Sequence, residues 1–152
     1  MYSKAERSKI RKDFWTAFGQ YMKPVPSTSG TKVNWPNYKT GVKHLFFKMK
    51  AEQGFASIGI EFTHSDIELQ QLFFEQLEEF KNILHSEVGE AWNWELHHVD
   101  EFGSIISRTQ KTLPNVNVMN QNDWPKIISF LKPRIIALDA FWANMKPAFE
   151  EL

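Results

Sequence analysis

The chain has 152 residues, 18 Lys/Arg balanced by 18 Asp/Glu and no cysteine, which excludes disulfides, thiolate catalysis and Cys-based zinc or iron–sulfur sites. Its formal neutrality hides a steep polarity: residues 1–50 carry 11 bases against 2 acids, residues 51–101 carry 1 against 12, and residues 102–152 carry 6 against 4. Such a split either cancels inside the fold or shows outside as a dipolar surface, and it points to charge-guided contact more than to chemistry.

The length suits a single domain over residues 1–152, large enough to bury about 70% of the surface its unfolded form exposes. The opening residues Met1-Tyr2-Ser3-Lys4-Ala5-Glu6-Arg7 put charges where a signal peptide needs an apolar run, and nothing approaches a membrane span. A soluble cytoplasmic protein is the expectation. Thirteen Phe, six Trp and three Tyr predict a dense core.

From Ser3 to Met22, Ile10, Phe14, Ala17, Phe18 and Tyr21 recur at helical spacing, with Lys4, Arg7, Lys9, Arg11 and Lys12 clustered in the first half. These cations are either solvated, or face a nucleic acid, or dock on the acidic helix that follows. The segment Lys23-Pro24-Val25-Pro26-Ser27-Thr28-Ser29-Gly30 ends the helix and begins a long connection holding Trp35 and Tyr38. Two β-hairpins follow, each succeeded by a helix. In the first, Val42–Lys50 and Phe55–Thr63 flank Ala51-Glu52-Gln53-Gly54. Pairing Lys50 with Phe55 sets Leu45 opposite Ile60 and Phe47 opposite Ile58 on an apolar face. On the other face it sets His44 opposite Glu61, Phe46 opposite Gly59 and Lys48 opposite Ser57.

Ser65-Asp66-Ile67-Glu68 has capping-box spacing, so a helix should start near Asp66, bury Phe73, Leu77, Phe80, Leu84 and Val88, and close at Gly89. Its outer side holds Glu68, Glu75, Glu78, Glu79 and Glu87. The second hairpin uses residues 93–99 and 104–112, with Glu95 opposite Arg108, and a polar connection leads to a helix capped by Asp123. Pro133 should kink or divide that helix. The expected fold is α+β, in the order α-ββ-α-ββ-α: a four-stranded antiparallel sheet from two hairpins with helices packed on one face.

The opening helix with Phe14-Trp15, the strand Ile58-Gly59-Ile60, the helix containing Phe73-Phe74-Glu75-Gln76-Leu77 and the late helix from Trp124 to Trp142 resemble the bacterial domain-of-unknown-function family numbered 4268. The resemblance covers nearly the whole chain. Members of that family also occur fused to nuclease-like domains, which implies an accessory role near nucleic acid and carries over no catalytic residue.

A search for chemistry returns mainly absences. Glu79-Phe80-Lys81 is the one match to a nuclease Glu-x-Lys pair, and it falls in a helix, where residues two apart diverge. No phosphate loop, His-Glu-x-x-His or nucleophile elbow is present. His97 and His98 are strand neighbours that point to opposite faces, so no metal and no cofactor is expected. What remains is the non-core face of the sheet: His44, Phe46, Lys48, Glu61, Glu95, His97 and Arg108, with Trp35 and Tyr38 from the connection. As a solvated face it would hold only weak cross-strand ion pairs. As a platform it would serve a protein partner, a second copy or a nucleotide base. The leading expectation is a non-enzymatic interaction module. Its alternative is a nucleic-acid accessory using Arg7, Lys9, Arg11 and Lys12, and an enzyme built on His44, Glu61 and His97 comes third.

Overall fold

In the computed structural model, which describes all 152 residues, the first helix opens on a reciprocal cap. The Ser3 hydroxyl accepts the Glu6 N–H at 3.1 Å and the Glu6 carboxylate accepts the Ser3 N–H at 3.0 Å, so α1 spans Lys4–Met22. Phe14, Phe18 and Met22 form its buried stripe. Tyr21, predicted on that stripe, is exposed beneath the Lys132 ammonium, 4.7 Å from its ring centre, because Met22 completes the four-residue series from Phe14.

The strands β1 (Leu45–Ala51), β2 (Gln53–Phe62), β3 (Asn93–Val99) and β4 (Ile105–Asn117) form one antiparallel sheet in the order β1-β2-β4-β3. The helices α2 (Ile67–Glu79), α3 (Lys81–Val88) and α4 (Trp124–Glu150) join α1 in supplying one core with the inner sheet face. This is the expected α-ββ-α-ββ-α order, with its middle helix in two pieces. No helix is long and apolar enough to cross a membrane.

The first hairpin has the predicted faces and a different register. Ala51 pairs with Ala56, and the Glu52 N–H donates to the Phe55 carbonyl at 2.9 Å, leaving a two-residue turn with Gly54 at φ 99°. A short turn of this kind follows the strand twist better than the four-residue turn expected from sequence. The slip is two residues, so every side chain keeps its face while each partner changes. Leu45 meets Phe62, Phe47 meets Ile60, Phe46 meets Glu61 and Lys48 meets Gly59. Gly59 therefore has Lys48, not Phe46, across from it. It is glycine because β4 approaches it closely: a Cβ there would lie 2.5 Å from the Thr109 carbonyl oxygen.

Three helix boundaries also differ from expectation. Asp66, rather than Ser65, caps α2, accepting the Glu68 and Leu69 N–H groups at 3.0 and 3.2 Å, a role in which its charge is favoured by the helix dipole. The middle helix breaks at Phe80, so Glu79 and Lys81 flank a junction and are both exposed. Gly89 ends α3 in the left-handed conformation, as predicted. Conversely α4 runs unbroken through Pro133, held along its length by buried Ile127, Leu131, Ile135, Leu138 and Trp142. Asp123 precedes α4 without capping it, because its carboxylate accepts the Asn117 N–H at 2.9 Å. The segment predicted as a polar connection after Thr112 is strand, with Pro114 and left-handed Asn115 near the irregular end of β4.

The charge split cancels only in part. Ion pairs join Arg11 to Glu52, Lys50 to Glu101, Arg108 to Glu95 and Arg134 to Glu90, and none uses Glu68, Glu75, Glu78, Glu79 or Glu87. The basic α1 packs on α4 and does not dock on the acidic helix, so the molecule presents two poles to solvent.

Candidate binding surface on the uncovered face of the sheet

Side-chain alternation sends Phe46, Lys48 and Lys50 of β1, Ser57 and Glu61 of β2, and Arg108, Gln110 and Thr112 of β4 to the face that no helix covers. Glu61 lies in register between Phe46 and Arg108 and is only 7% exposed. Phe46 is exposed, with the Lys48 ammonium 5.8 Å from its ring centre.

The edge strand β3 joins this face through a β-bulge. Glu95 pairs with Arg108 but His98 pairs with Ile106, so β3 spends one residue more than β4. The bulge holds His97 at φ 52° and reverses the alternation beyond it. His98, not His97, therefore stands beside Glu95 on the uncovered face. His97 turns to the helix side, its Nε2 3.3 Å from the Ile67 carbonyl. A buried relay maintains the bulge. The His97 N–H, displaced from the ladder, donates to the Ser107 hydroxyl at 3.0 Å, and that hydroxyl donates to Gln70 Oε1 at 2.6 Å. The Gln70 amide then donates to the His64 and Ile105 carbonyls, both at 3.0 Å.

This geometry assembles a cluster that the sequence reading only half contained. Glu95 accepts Arg108 Nε–H at 3.0 Å, Arg108 Nη2–H donates to His98 Nε2 at 3.1 Å, and His98 Nδ1 lies 2.9 Å from the Glu95 carboxylate. Because a guanidinium only donates, His98 Nε2 accepts and Nδ1 carries the proton on the side of Glu95, which leaves no lone pair for a substrate proton. The signal for the missing residue was the His-His pair itself, whose facing partner depends on whether the strand bulges.

Three other predicted members lie elsewhere. His44 precedes β1 and is not opposite Glu61; it sits at the hairpin's open end, its ring 5.1 Å from that of His64. Trp35, 1% exposed in a short 3₁₀ turn, donates Nε1–H to the Val25 carbonyl at 2.9 Å. Tyr38 stacks on Phe47 and donates its hydroxyl to Asp139. Both rings are held on the core side because burying them satisfies their polar tips as well.

The β3–β4 tip bends over the uncovered face. Asp100 Oδ1 accepts the Phe102 and Ser104 N–H groups at 2.9 Å, and Glu101 reaches Lys50 at 3.7 Å. Beneath the tip lies a groove of about 380 Å³ whose walls include Lys50, Phe55, Ser57, His98 and Arg108. A second groove of about 840 Å³ shares Lys50, Phe55 and Glu101 with it and extends to Lys4, Arg11, Glu52 and Phe102. Phe102 is 84% exposed. Arg11 pairs with Glu52 at 3.0 Å, while its buried Nε–H has no partner. Arg7 donates to the Tyr2 carbonyl, Lys9 pairs with Asp13 and Lys12 is exposed; none of these three lines a groove.

Two histidines make stability pH-dependent. Burial pushes His64 below the ordinary imidazole range and the His44 charge adds to this, against the opposing charge of Asp66. Burial and then Lys81 lower His85, whose Nε2 accepts the Trp92 N–H at 3.2 Å and the Trp94 Nε1–H at 3.1 Å. Folded, both bind protons less readily than unfolded. Stability is therefore full above about pH 6.5 and falls as the pH drops from there through their folded pKa values. Urea midpoints should decline from about pH 7.5 to about pH 5.5, and by less in His85→Gln. A flat profile would contradict this.

These features define an α+β domain with one helix-covered and one uncovered sheet face, grooved beneath a bent hairpin. The chain belongs to the family described as domain of unknown function DUF4268, whose model matches residues 10–146. No curated protein and no solved structure matches it.

Proposed function

We propose that the protein is a non-enzymatic interaction module that works through the uncovered sheet face. The observation that carries this reading is the pair of connected grooves between that face, the β3–β4 tip and α1. The mutual saturation of Glu95, His98 and Arg108 supports a recognition role over a catalytic one.

A single strand of nucleic acid is the partner that suits the grooves best. Lys4, Arg11 and Lys50 line one path with Phe55 and exposed Phe102, combining cations for phosphates with rings on which bases stack. The unpartnered Arg11 Nε–H is a donor waiting for an acceptor. Glu52 and Glu101 line the same path and pair with Arg11 and Lys50, so a phosphate binds there by displacing these carboxylates; no acidic residue of α2 or α3 lines it. With three phosphate contacts on a single strand, log affinity should fall against log salt with a slope of about −2. Fluorescence anisotropy with single- and double-stranded DNA and RNA measures this. Arg11→Gln with Lys50→Gln is expected to weaken single-strand binding by about tenfold or more, whereas Glu75→Gln with Glu79→Gln leaves it intact. A flat salt response would rule out nucleic acid and leave a protein partner or a second copy, which light scattering on the same sample separates.

A further inference from the structure

At the end of the first hairpin opposite its turn, two imidazoles stand together with no hydrogen bond to their nitrogens. The Thr63 N–H donates to the His44 carbonyl at 2.9 Å, which holds the segments before β1 and after β2 side by side. The His44 and His64 rings are 5.1 Å apart at 52°. His64 is 3% exposed, its ring lies 4.4 Å from that of Phe73, and its Nδ1 is wholly buried without a partner. A phenyl ring would pack against Phe73 as well and bury no unpaired nitrogen, so packing does not account for a histidine here.

The pair lines a cavity of about 450 Å³ on the helix-covered side of the molecule, away from the grooves described above. One part of its wall is Lys43, His44 and His64; another is Leu69, Phe73 and Phe149. The Lys146 ammonium lies behind Gly41, 2.7 Å from where a Cβ would sit, and lines the neighbouring cleft beside Tyr38 and Asp139. Glu150 also lines the cavity, and Asp66 acts on His64 from the start of α2. In the wall itself Lys43 and the two imidazoles stand against one carboxylate, Glu150, so an anion meets more donors there than acceptors. Hydrogen-bonding nitrogens and an apolar wall in one cavity of this size are the attributes of a small-molecule site.

We infer that this cavity binds an amphiphilic carboxylate, a small organic acid whose carboxylate accepts the His64 and His44 N–H groups beside Lys43. Its hydrocarbon part lies on Leu69, Phe73 and Phe149. A carboxylate against the two rings favours the protonated form of His64, in which the buried Nδ1 has no lone pair of its own.

The test is an NMR titration of the histidine rings of the full chain with hexanoate, acetate, 1-hexanol and Zn²⁺ in turn. Hexanoate should give saturable shifts at His44 and His64 and raise the pKa of His64. Acetate, lacking the tail, and hexanol, lacking the charge, should bind at least about tenfold more weakly. His64→Phe keeps the stack on Phe73, so it should fold, melt above the wild type and lose hexanoate affinity by about tenfold. His44→Gln, at an exposed position, should also weaken binding. The inference is overturned if hexanoate binds no better than acetate and hexanol, or shifts other histidines only. It is equally overturned if Zn²⁺ saturates the pair while hexanoate leaves it unmoved, since a metal would then be the ligand.

Discussion

Asp139→Ala is expected to lower the unfolding free energy by about 3–5 kcal/mol, or roughly 10 °C in melting temperature. The Asp139 carboxylate, 5% exposed on α4, accepts the Tyr38 hydroxyl at 2.5 Å and the Thr28 N–H and hydroxyl at 2.6 and 3.0 Å. These bonds tether both halves of the connection between α1 and β1, a stretch with little regular structure of its own. Alanine leaves three polar groups of Tyr38 and Thr28 without their acceptor, and hydrogen bonds to a charged acceptor are among the strongest a fold loses. Asp139→Asn keeps one acceptor oxygen and should cost about half as much. Tyr38 supplies a separate readout. Burial, then the hydrogen bond to Asp139 and its charge, push the phenol far above its ordinary range, so in Asp139→Ala its alkaline titration should move back down. Urea unfolding followed by tryptophan fluorescence measures the first effect. A loss under about 1 kcal/mol with Tyr38 unmoved would show that the connection is held by its aromatic packing alone.

The Asp139 tether also marks what the sequence could not show. Its partners lie 101 and 111 residues away, and nothing local to Tyr38 or Thr28 singles out one carboxylate on α4. Signals confined to a few residues were legible. Gly89 stopped α3, and the alternation in β1 and β2 assigned each side chain to its correct face. Register was not legible, because a two-residue and a four-residue turn leave the same alternation and differ only in partners. The same limit misplaced the site. Glu95 opposite Arg108 precedes the bulge and was read correctly, while His97 follows its start and was assigned to the wrong face. The polarity of the chain was plain from counting charges, but its meaning depended on whether α1 would meet α2, and packing on α4 decided that.

Gln70 is the residue on which the candidate surface depends without belonging to it, and Gln70→Leu should cost about 2–4 kcal/mol and alter the bulge. Gln70 is fully buried and bonded to Ser107, His64 and Ile105, so leucine would fill its volume while stranding the two carbonyls and the Ser107 hydroxyl. The Ser107 hydroxyl would then turn to one of those carbonyls and draw away from the His97 N–H. That N–H has no ladder partner, and without Ser107 the extra residue of β3 has little to hold it in place. Relaxation by one residue would return His97 toward the uncovered face and take His98 from Glu95 and Arg108, opening the cluster beneath the hairpin tip. Two readouts separate this from simple loss of stability: hydrogen exchange at the His97 amide should accelerate more than global unfolding accounts for, and the His98 ring resonances should move in the folded protein. Gln70→Glu tests the donor half, since it retains an acceptor for Ser107 but places an oxygen against two carbonyls, and it should be at least as costly as leucine. If either variant left the His98 resonances in place, the bulge would be a property of the β3–β4 hairpin itself, and the grooves would owe their shape to the turn at Asp100 instead.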